Sequence, residues 1–413
     1  MTARPAADVL AEIEALRRDD VRWREGRAFS LVYHAGDELD RLAKSAYAAY
    51  SSENALNVDA FPGLRRMQAE IVDTVSGWFH GGADAAGFFT SGGTESLLMA
   101  VLAARERGRT ERGITEPEMV LPASAHAALE KAAHYFGVRS VRVPVRDDWR
   151  ADVDAMAAAI TERTVLLVAS APQYPQGVID PVVEVAALAG ERGINCHVDA
   201  CMGGVVLPCL ERLGHAVPPW DFRVPGVTSI SVDLHKYGYA AKGASVIVHA
   251  SKALRRHQTF VTDNWLGGRY GSSGVLGTKS GGPIAAAWAV LRHLGDEGYL
   301  ALTERARRTA VRLAAGIRSI DGLVLRAEPD TTLVAFGARP DLDLDAIADH
   351  LARQGWYLDR QGPPPSLHCT VNAVHEAVVD DVLADLAAAV AAVSTGGSRV
   401  RTTASGAAYG TVE

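Results

Sequence analysis

Two lysines stand close together where a buried strand ends, in the stretch "SVDLHKYGYAAKG" (231–243). Burying an ammonium is costly unless it is paired or covalently used. Lys236, directly after Asp-Leu-His, therefore asks for a chemical reason, and Lys242 follows it between Ala241 and Gly243. Asp199 closes another strand-like run, "INCHVDA", 37 residues before Lys236 (236 − 199 = 37). A third feature is "FFTSGGTESLLMAVLAARERG" (88–108), which passes from a strand-like start through Ser91, Gly92, Gly93 and Thr94 into a helix. Glycines let backbone N–H groups approach an anion closely, and a helix N-terminus favours negative charge there. Taken alone, those four residues also suit a turn with an N-cap, and Asp199 suits a helix cap. Together with Lys236 they make the set of parts that a pyridoxal phosphate (PLP) enzyme needs. A lysine forms the Schiff base, and a carboxylate keeps the pyridine nitrogen protonated so that the ring can accept electrons. A glycine-rich helix start takes the phosphate. His126, in "PASAHAALEKAAHYFG", suits stacking on such a ring, or capping its own helix.

These residues must be positioned by something. Short apolar runs, "TVLLVAS" (164–170), "INCHVDA" (194–200), "VTSISVD" (227–233) and "ASVIVHA" (244–250), read as buried strands. Helix-like stretches such as "PVVEVAALAGERG" (181–193) lie between several of them. Strand and helix in alternation predict an α/β fold, a mostly parallel sheet with helices on both faces. In such sheets function gathers at the carboxyl ends of the strands, where Asp199 and Lys236 both fall. From about Gly298 the texture changes to a long charged helix, then "GLVLRAEPDTTLVAFG" and two amphipathic helices, the pattern of a smaller C-terminal α/β domain. The division expected is an N-terminal helical segment (1–60), a large cofactor-binding domain (61–297) and a small C-terminal domain (298–413). The tail "STGGSRVRTTASGAAYG" would by composition default to disorder.

Composition narrows the class. The 413 residues are 48% hydrophobic and 22% charged, as in ordinary globular proteins. A net charge of −7 gives no electrostatic reason to expect nucleic acid or an anionic membrane as partner. Cys196, Cys201, Cys209 and Cys369 form no CxxC pair or zinc spacing, so buried thiols are expected and no metal. The N-terminal stretch is charged and helical rather than a signal peptide. No apolar run reaches the roughly 18 residues of a membrane span, and a cytoplasmic address is expected.

The blocks "TSGGTES", "SAHAALEKAAHYFG", "SAPQYPQGVIDPV", "HVDACMGG", "DFRVPGVTSISVDLHKYGYAAKG" and "GGPIAAAWAVLRHLGDEGY" resemble the sphingosine-1-phosphate lyase family, fold-type-I PLP enzymes. The resemblance runs from "SLVYHAGD" (30–37) to "TTASGAAYGTVE" (402–413). It implies Lys236 as the Schiff-base lysine, Asp199 as partner of the pyridine nitrogen and His126 stacked on the ring. Gly92, Gly93, Thr94 and His235 would meet the cofactor phosphate, with Ser170 near the ring. Ser272 would reach the phosphate of the neighbouring subunit, which implies a homodimer with shared sites. Tyr33, Lys242 and, in the C-terminal Gly-x-x-Tyr-Gly block, Tyr409 would face a phosphorylated amino alcohol. The implied reaction breaks the C2–C3 bond to an aldehyde and phosphoethanolamine, with Tyr33 and Lys242 as candidates for the base at the 3-hydroxyl.

Three departures concern the substrate rather than the cofactor. Pro175-Gln176-Gly177 stands where the family has Pro-His-Gly, and a neutral amide cannot titrate. "APKG" becomes "AAKG". In "GSSGVLGTKSGG" Lys279 replaces an arginine, keeping the charge and losing the bidentate fork. Another phosphorylated or phosphonate amino alcohol is therefore an open substrate. Two alternatives remain at this level: a group II amino-acid decarboxylase, which shares the Asp and the His-Lys pair, and a PLP-binding protein without turnover.

Overall fold

The computed structural model describes residues 2–395. Seven strands build its main sheet: β1 (Ala86–Thr90), β2 (Glu118–Pro122), β3 (Arg139–Val143), β4 (Thr164–Ser170), β5 (Asn195–Asp199), β6 (Ser229–Val232) and β7 (Ser245–His249). Their order is β1-β7-β6-β5-β4-β2-β3. β7 runs antiparallel to both neighbours, and the other six strands share one direction. The apolar runs of the sequence are therefore strands covered on both faces. Every residue of β2, β4, β5, β6 and β7 is buried.

Register places the chemistry. Ser170 pairs with Asp199, and Asp199 with Ser231, so the last residues of β4 and β5 lie in one row with Ser231, one residue before the end of β6. Thr90 pairs with Ser245 at the same edge, and the first helix after β1, Gly93–Arg112, starts there.

Two further strands, β8 (Phe260–Thr262) and β9 (Tyr270–Ser272), form an antiparallel hairpin beyond β7. The helical segment Gly282–Ser319 then bends at Gly295, whose φ of 52° belongs to the left-handed region that glycine adopts without strain. It leads into a four-stranded antiparallel sheet, order β10-β11-β13-β12, made of β10 (Leu323–Leu325), β11 (Leu333–Ala338), β12 (Asp359–Gln361) and β13 (Ser366–Thr370). This sheet has its own apolar core, with Phe336, Leu367, Leu313, Ile317 and Leu386.

The N-terminal segment crosses between the two sheets. Phe29 is buried in the smaller core, stacked on His375 at 4.0 Å, and its N–H bonds to the Tyr357 carbonyl at 2.9 Å. Four residues on, Tyr33 packs against the main core. A distant strand-like contact thus delivers Tyr33 to the edge where Lys236 lies.

Candidate active site

The helix Gly93–Arg112 opens directly on that edge. A helix start leaves its first N–H groups without intrahelical partners, and Gly92 at the N-cap brings no side chain to cover them. Gly93 cannot be replaced without displacement. A Cβ there would lie 2.6 and 2.9 Å from the Asp233 carboxylate oxygens and 3.0 Å from Cys201 Sγ. Behind the helix start runs a chain of hydroxyls: Thr90 Oγ1 to Ser96 Oγ at 2.6 Å, Ser96 Oγ to Ser245 Oγ at 2.8 Å, and Ser245 Oγ donating to the Val232 carbonyl at 2.9 Å. These bonds fix the helix to β1, β7 and β6. Glu95, buried in the first turn, accepts from the Ser91 N–H and from the Val275 N–H, both at 2.6 Å.

Lys236 lies in the turn after β6. Its Nζ is 2.9 Å from Asp233 Oδ2, and His235 Nε2 is 3.8 Å from the same oxygen. Burial works to raise the Asp233 carboxyl, but the Lys236 charge beside it, joined by His235 only when that ring is protonated, outweighs that and holds it below the usual range. His235 Nδ1 accepts from the Ala244 N–H at 3.3 Å, which leaves the ring proton on Nε2. Burial lowers the His235 pKa, so the ring is neutral near pH 7. Its Cε1 stands 3.5 Å from where a Cβ on Gly92 would be.

Asp199 Oδ1 accepts from the Cys201 N–H at 3.0 Å, which fixes the carboxylate at the end of β5. His126 Nδ1 accepts from the Ala128 N–H at 3.0 Å, so the imidazole caps the helix Ala128–Phe136. The ring also feels the charges of Asp199, Lys236 and Asp233. Burial lowers its pKa and keeps it neutral. Ser170 is held through its N–H, which donates to Asp180 Oδ2 at 2.8 Å, while the Ala151 N–H donates to Asp180 Oδ1 at 2.8 Å. Burial pushes the Asp180 carboxyl up to about 6 against those bonds.

Lys242 and Tyr33 line a cavity of about 440 Å³ that reaches His235, with Trp23, Leu39 and Tyr239 in its walls. Lys242 Nζ donates to the Leu31 carbonyl at 2.7 Å and stands 5.3 Å from the Tyr33 ring centre. Tyr33 meets Tyr237, the neighbour of Lys236, edge-on at 5.0 Å. Lys242 stays open to solvent on one side, yet protein crowds its amine. That crowding, and then the Lys236 charge, lower its pKa to about 8.

Ser272 is elsewhere. It lines a second cavity, of about 370 Å³, with Lys279, Arg255 and Arg65. Lys279 stands 4.6 Å from the Phe88 ring centre, where burial lowers its pKa. Glu95 is the physical link between this loop and Ser91 at the helix start. Gln176, the departure in "PQG", is tied to Gln173: its N–H donates to Gln173 Oε1 at 2.8 Å and its Oε1 accepts from Gln173 Nε2 at 2.9 Å. The four cysteines are buried and free. Tyr409 lies outside the described residues.

Of the residues singled out from the sequence, the structure gathers Gly92, Gly93, Thr94, His126, Ser170, Asp199, His235 and Lys236 at one edge, with Tyr33 and Lys242 on its flank. Asp233, Glu95 and Asp180 were not singled out. Asp233 carried a usable signal, a carboxylate three residues before a half-buried lysine. This donor set fits PLP: an uncovered helix start for the phosphate, an amine for the aldehyde, a fixed carboxylate for the ring nitrogen and an imidazole for the ring face.

Residues 3–339 match the pyridoxal-dependent decarboxylase conserved domain. The chain is 42% identical to sphingosine-1-phosphate lyase 1 of Rattus norvegicus, covering 98% of this chain and 71% of that one. A solved sphingosine-1-phosphate lyase of Burkholderia pseudomallei is 40% identical, with a TM-score of 0.91 over 94% of this chain and 91% of that one. A glutamate decarboxylase of Lactobacillus brevis, 20% identical with a TM-score of 0.84 over 95% of this chain and 94% of that one, shares the fold. On these grounds the chain belongs to the sphingosine-1-phosphate lyase family of pyridoxal-dependent enzymes, and pyridoxal 5'-phosphate is its cofactor.

Proposed function

We propose that this chain cleaves the C2–C3 bond of a phosphorylated 2-amino-3-hydroxy compound of the sphingosine 1-phosphate type, releasing an aldehyde and phosphoethanolamine. The observation that carries the reading is the second amine. Lys242 is held beside the Tyr33 ring in a cavity that reaches His235, the neighbour of Lys236. It is a cation placed to meet a substrate phosphate.

PLP, when bound, supplies the electron sink for the bond that breaks. The chain's residues do the rest. Lys236 would hold the cofactor through its amine, and Asp199 would keep a proton on the ring nitrogen. His126 and Ser170 would border the ring. Gly92, Gly93, Thr94 and His235 would hold the phosphate, the last through its Nε2 proton. Tyr33 takes or relays the 3-hydroxyl proton, a role that contributes roughly 10²–10⁴-fold.

Lys242 acts as an ammonium in this account. A cation with a pKa of about 8 is charged below that pH and loses its charge as pH rises through it. KM for the phosphorylated substrate should therefore be flat below about pH 8 and climb above it. Lys242→Ala should raise KM roughly ten- to a hundredfold, the scale of a hydrogen bond to a charged group, and abolish the climb. Steady-state kinetics across pH, with and without the substrate phosphate, checks both. A kcat loss at constant KM would move Lys242 into the chemical step.

A homodimer belongs to the proposal, with Ser272 serving the partner's site. Supporting it, the Ser272 hairpin and its flanks expose Phe260, Val261, Trp265, Leu266, Val275 and Leu276, an apolar surface of the kind that marks an interface. Among the described residues no helix is long and apolar enough to cross a membrane. The cytoplasmic address remains part of the proposal. The test of function is product identity. Sphingosine 1-phosphate should yield aldehyde, and amino acids should yield no CO₂; the reverse would establish a decarboxylase.

A further inference from the structure

Asp233 is 2% exposed and lies in the turn after β6. One oxygen, Oδ2, meets Lys236 Nζ at 2.9 Å. The other, Oδ1, has no hydrogen bond of regular geometry among the described residues, although the Ser245 hydroxyl also acts on the carboxylate. A buried carboxylate with an unsatisfied oxygen is costly unless it has work to do. Both oxygens press on the helix start, since a Cβ on Gly93 would come within 2.6 and 2.9 Å of them. The titratable neighbours are His235 and Lys236 on the same loop, Lys242 a few residues on, with a pKa lowered to about 8, Cys201 from the turn after β5, Asp199 at the end of β5, and His126 from the loop after β2. Burial keeps the two imidazoles and the Cys201 thiol neutral. Asp233 is the carboxylate that meets the Lys236 amine, at 2.9 Å.

We infer that Asp233 is a positioning residue, the carboxylate on which Lys236 docks as an ammonium whenever it is not attached to the cofactor. This rests on the reading of Lys236 above. In the exchange step a substrate ammonium would enter and its nitrogen would take the place of the Lys236 nitrogen. The three hydrogens of the substrate ammonium pass to the Lys236 nitrogen, which leaves as an ammonium, so the charge of the site is unchanged. Asp233 receives that ammonium and keeps it from attacking the same carbon again. The reverse holds when ligand-free protein captures PLP. Lys236 must give its proton to solvent, leave Asp233 as a neutral amine, and lose water as the C=N bond forms.

Capture therefore works against Asp233, and its pH dependence reports the pair. Full-length protein, freed of PLP and remixed with it, is followed by the visible absorbance of the bound cofactor from neutral to alkaline pH. In the wild type the capture rate should rise with pH as Lys236 is freed. In Asp233→Asn the ammonium loses its counter-charge, so the rise should move to lower pH by about one unit or more. That corresponds to at least about tenfold more free amine at neutral pH. Labelling of Lys236 by a small amine-directed electrophile, read by mass spectrometry without PLP, should increase in parallel.

The position of the pH rise decides, not the absolute rate, so a cradle loosened by the amide does not mimic the effect. Should Asp233→Asn fail to fold by circular dichroism, Asp233→Ser asks the same question. A rise at the wild-type pH in a folded variant, with unchanged labelling, overturns the inference while leaving the cofactor site intact. Wild-type protein that captures no PLP would instead overturn the reading on which the inference rests.

Discussion

Lys236→Ala should fold, keep a weakened hold on PLP, and turn over substrate at roughly 10⁴-fold below the wild-type rate or less, the scale of loss when a covalent group acting as part of a unit is removed. Two features make these effects separable. The cradle of Gly92, Gly93 and Thr94 is built from the helix start and the hydroxyl chain from Thr90 to Val232, none of which involves the lysine side chain. The amine itself contributes the covalent attachment. Equilibrium dialysis of PLP and kcat on the same preparation read the two contributions independently. In the wild type, borohydride should fix the cofactor irreversibly, and peptide mapping should find the adduct on Lys236. Finding it on Lys242 would exchange the roles of the two amines.

Asp199→Asn should retain PLP and lose roughly 10²–10³-fold in kcat, comparable to removing one preorganised charge-stabilising group. The substitution is nearly isosteric, so the hydrogen bond from the Cys201 N–H can survive on the amide oxygen. What is lost is negative charge facing the ring nitrogen, and with it the proton that lets the ring accept electrons. Substrate binding should change little, because the interaction strengthens only as charge develops. The absorbance of the bound cofactor, which reports ring-nitrogen protonation, gives a second readout. An unchanged kcat would place that task on another carboxylate, and Asp233 is an alternative, since both charges act on His126.

Much of this site was legible in the sequence because its parts sit at strand ends. A strand buried on both faces is a continuous apolar run, so a charged residue closing it stands out, as Asp199 and Lys236 do. "TVLLVAS" coincides with β4, Thr164–Ser170. Asp233 was hidden by the same logic. It was read as the last residue of "VTSISVD", whereas β6 ends at Val232 and Asp233 begins the turn that presents Lys236. Long-range contacts left no local trace. Glu95 reaches Val275 across 180 positions, and nothing in "TSGGTES" announces that a glutamate there ties the loop of Ser272 to the helix start. Tyr33 is placed through Phe29, buried in the core of the smaller sheet, a contact fixed by packing rather than by any local pattern. At His126 the sequence left capping and stacking open; the Ala128 N–H bond to Nδ1 shows the capping, which leaves the ring faces unused by that bond.

The most direct test of the account is the fate of carbon 2. Wild-type protein is incubated with sphingosine 1-phosphate in heavy water, and the products are read by mass spectrometry. Cleavage between C2 and C3 leaves an electron pair on C2 that a solvent proton must take up. The account predicts aldehyde and phosphoethanolamine in equal amounts, each phosphoethanolamine carrying a single carbon-bound deuterium. Intact sphingosine phosphate alongside CO₂ released from an amino acid would contradict it.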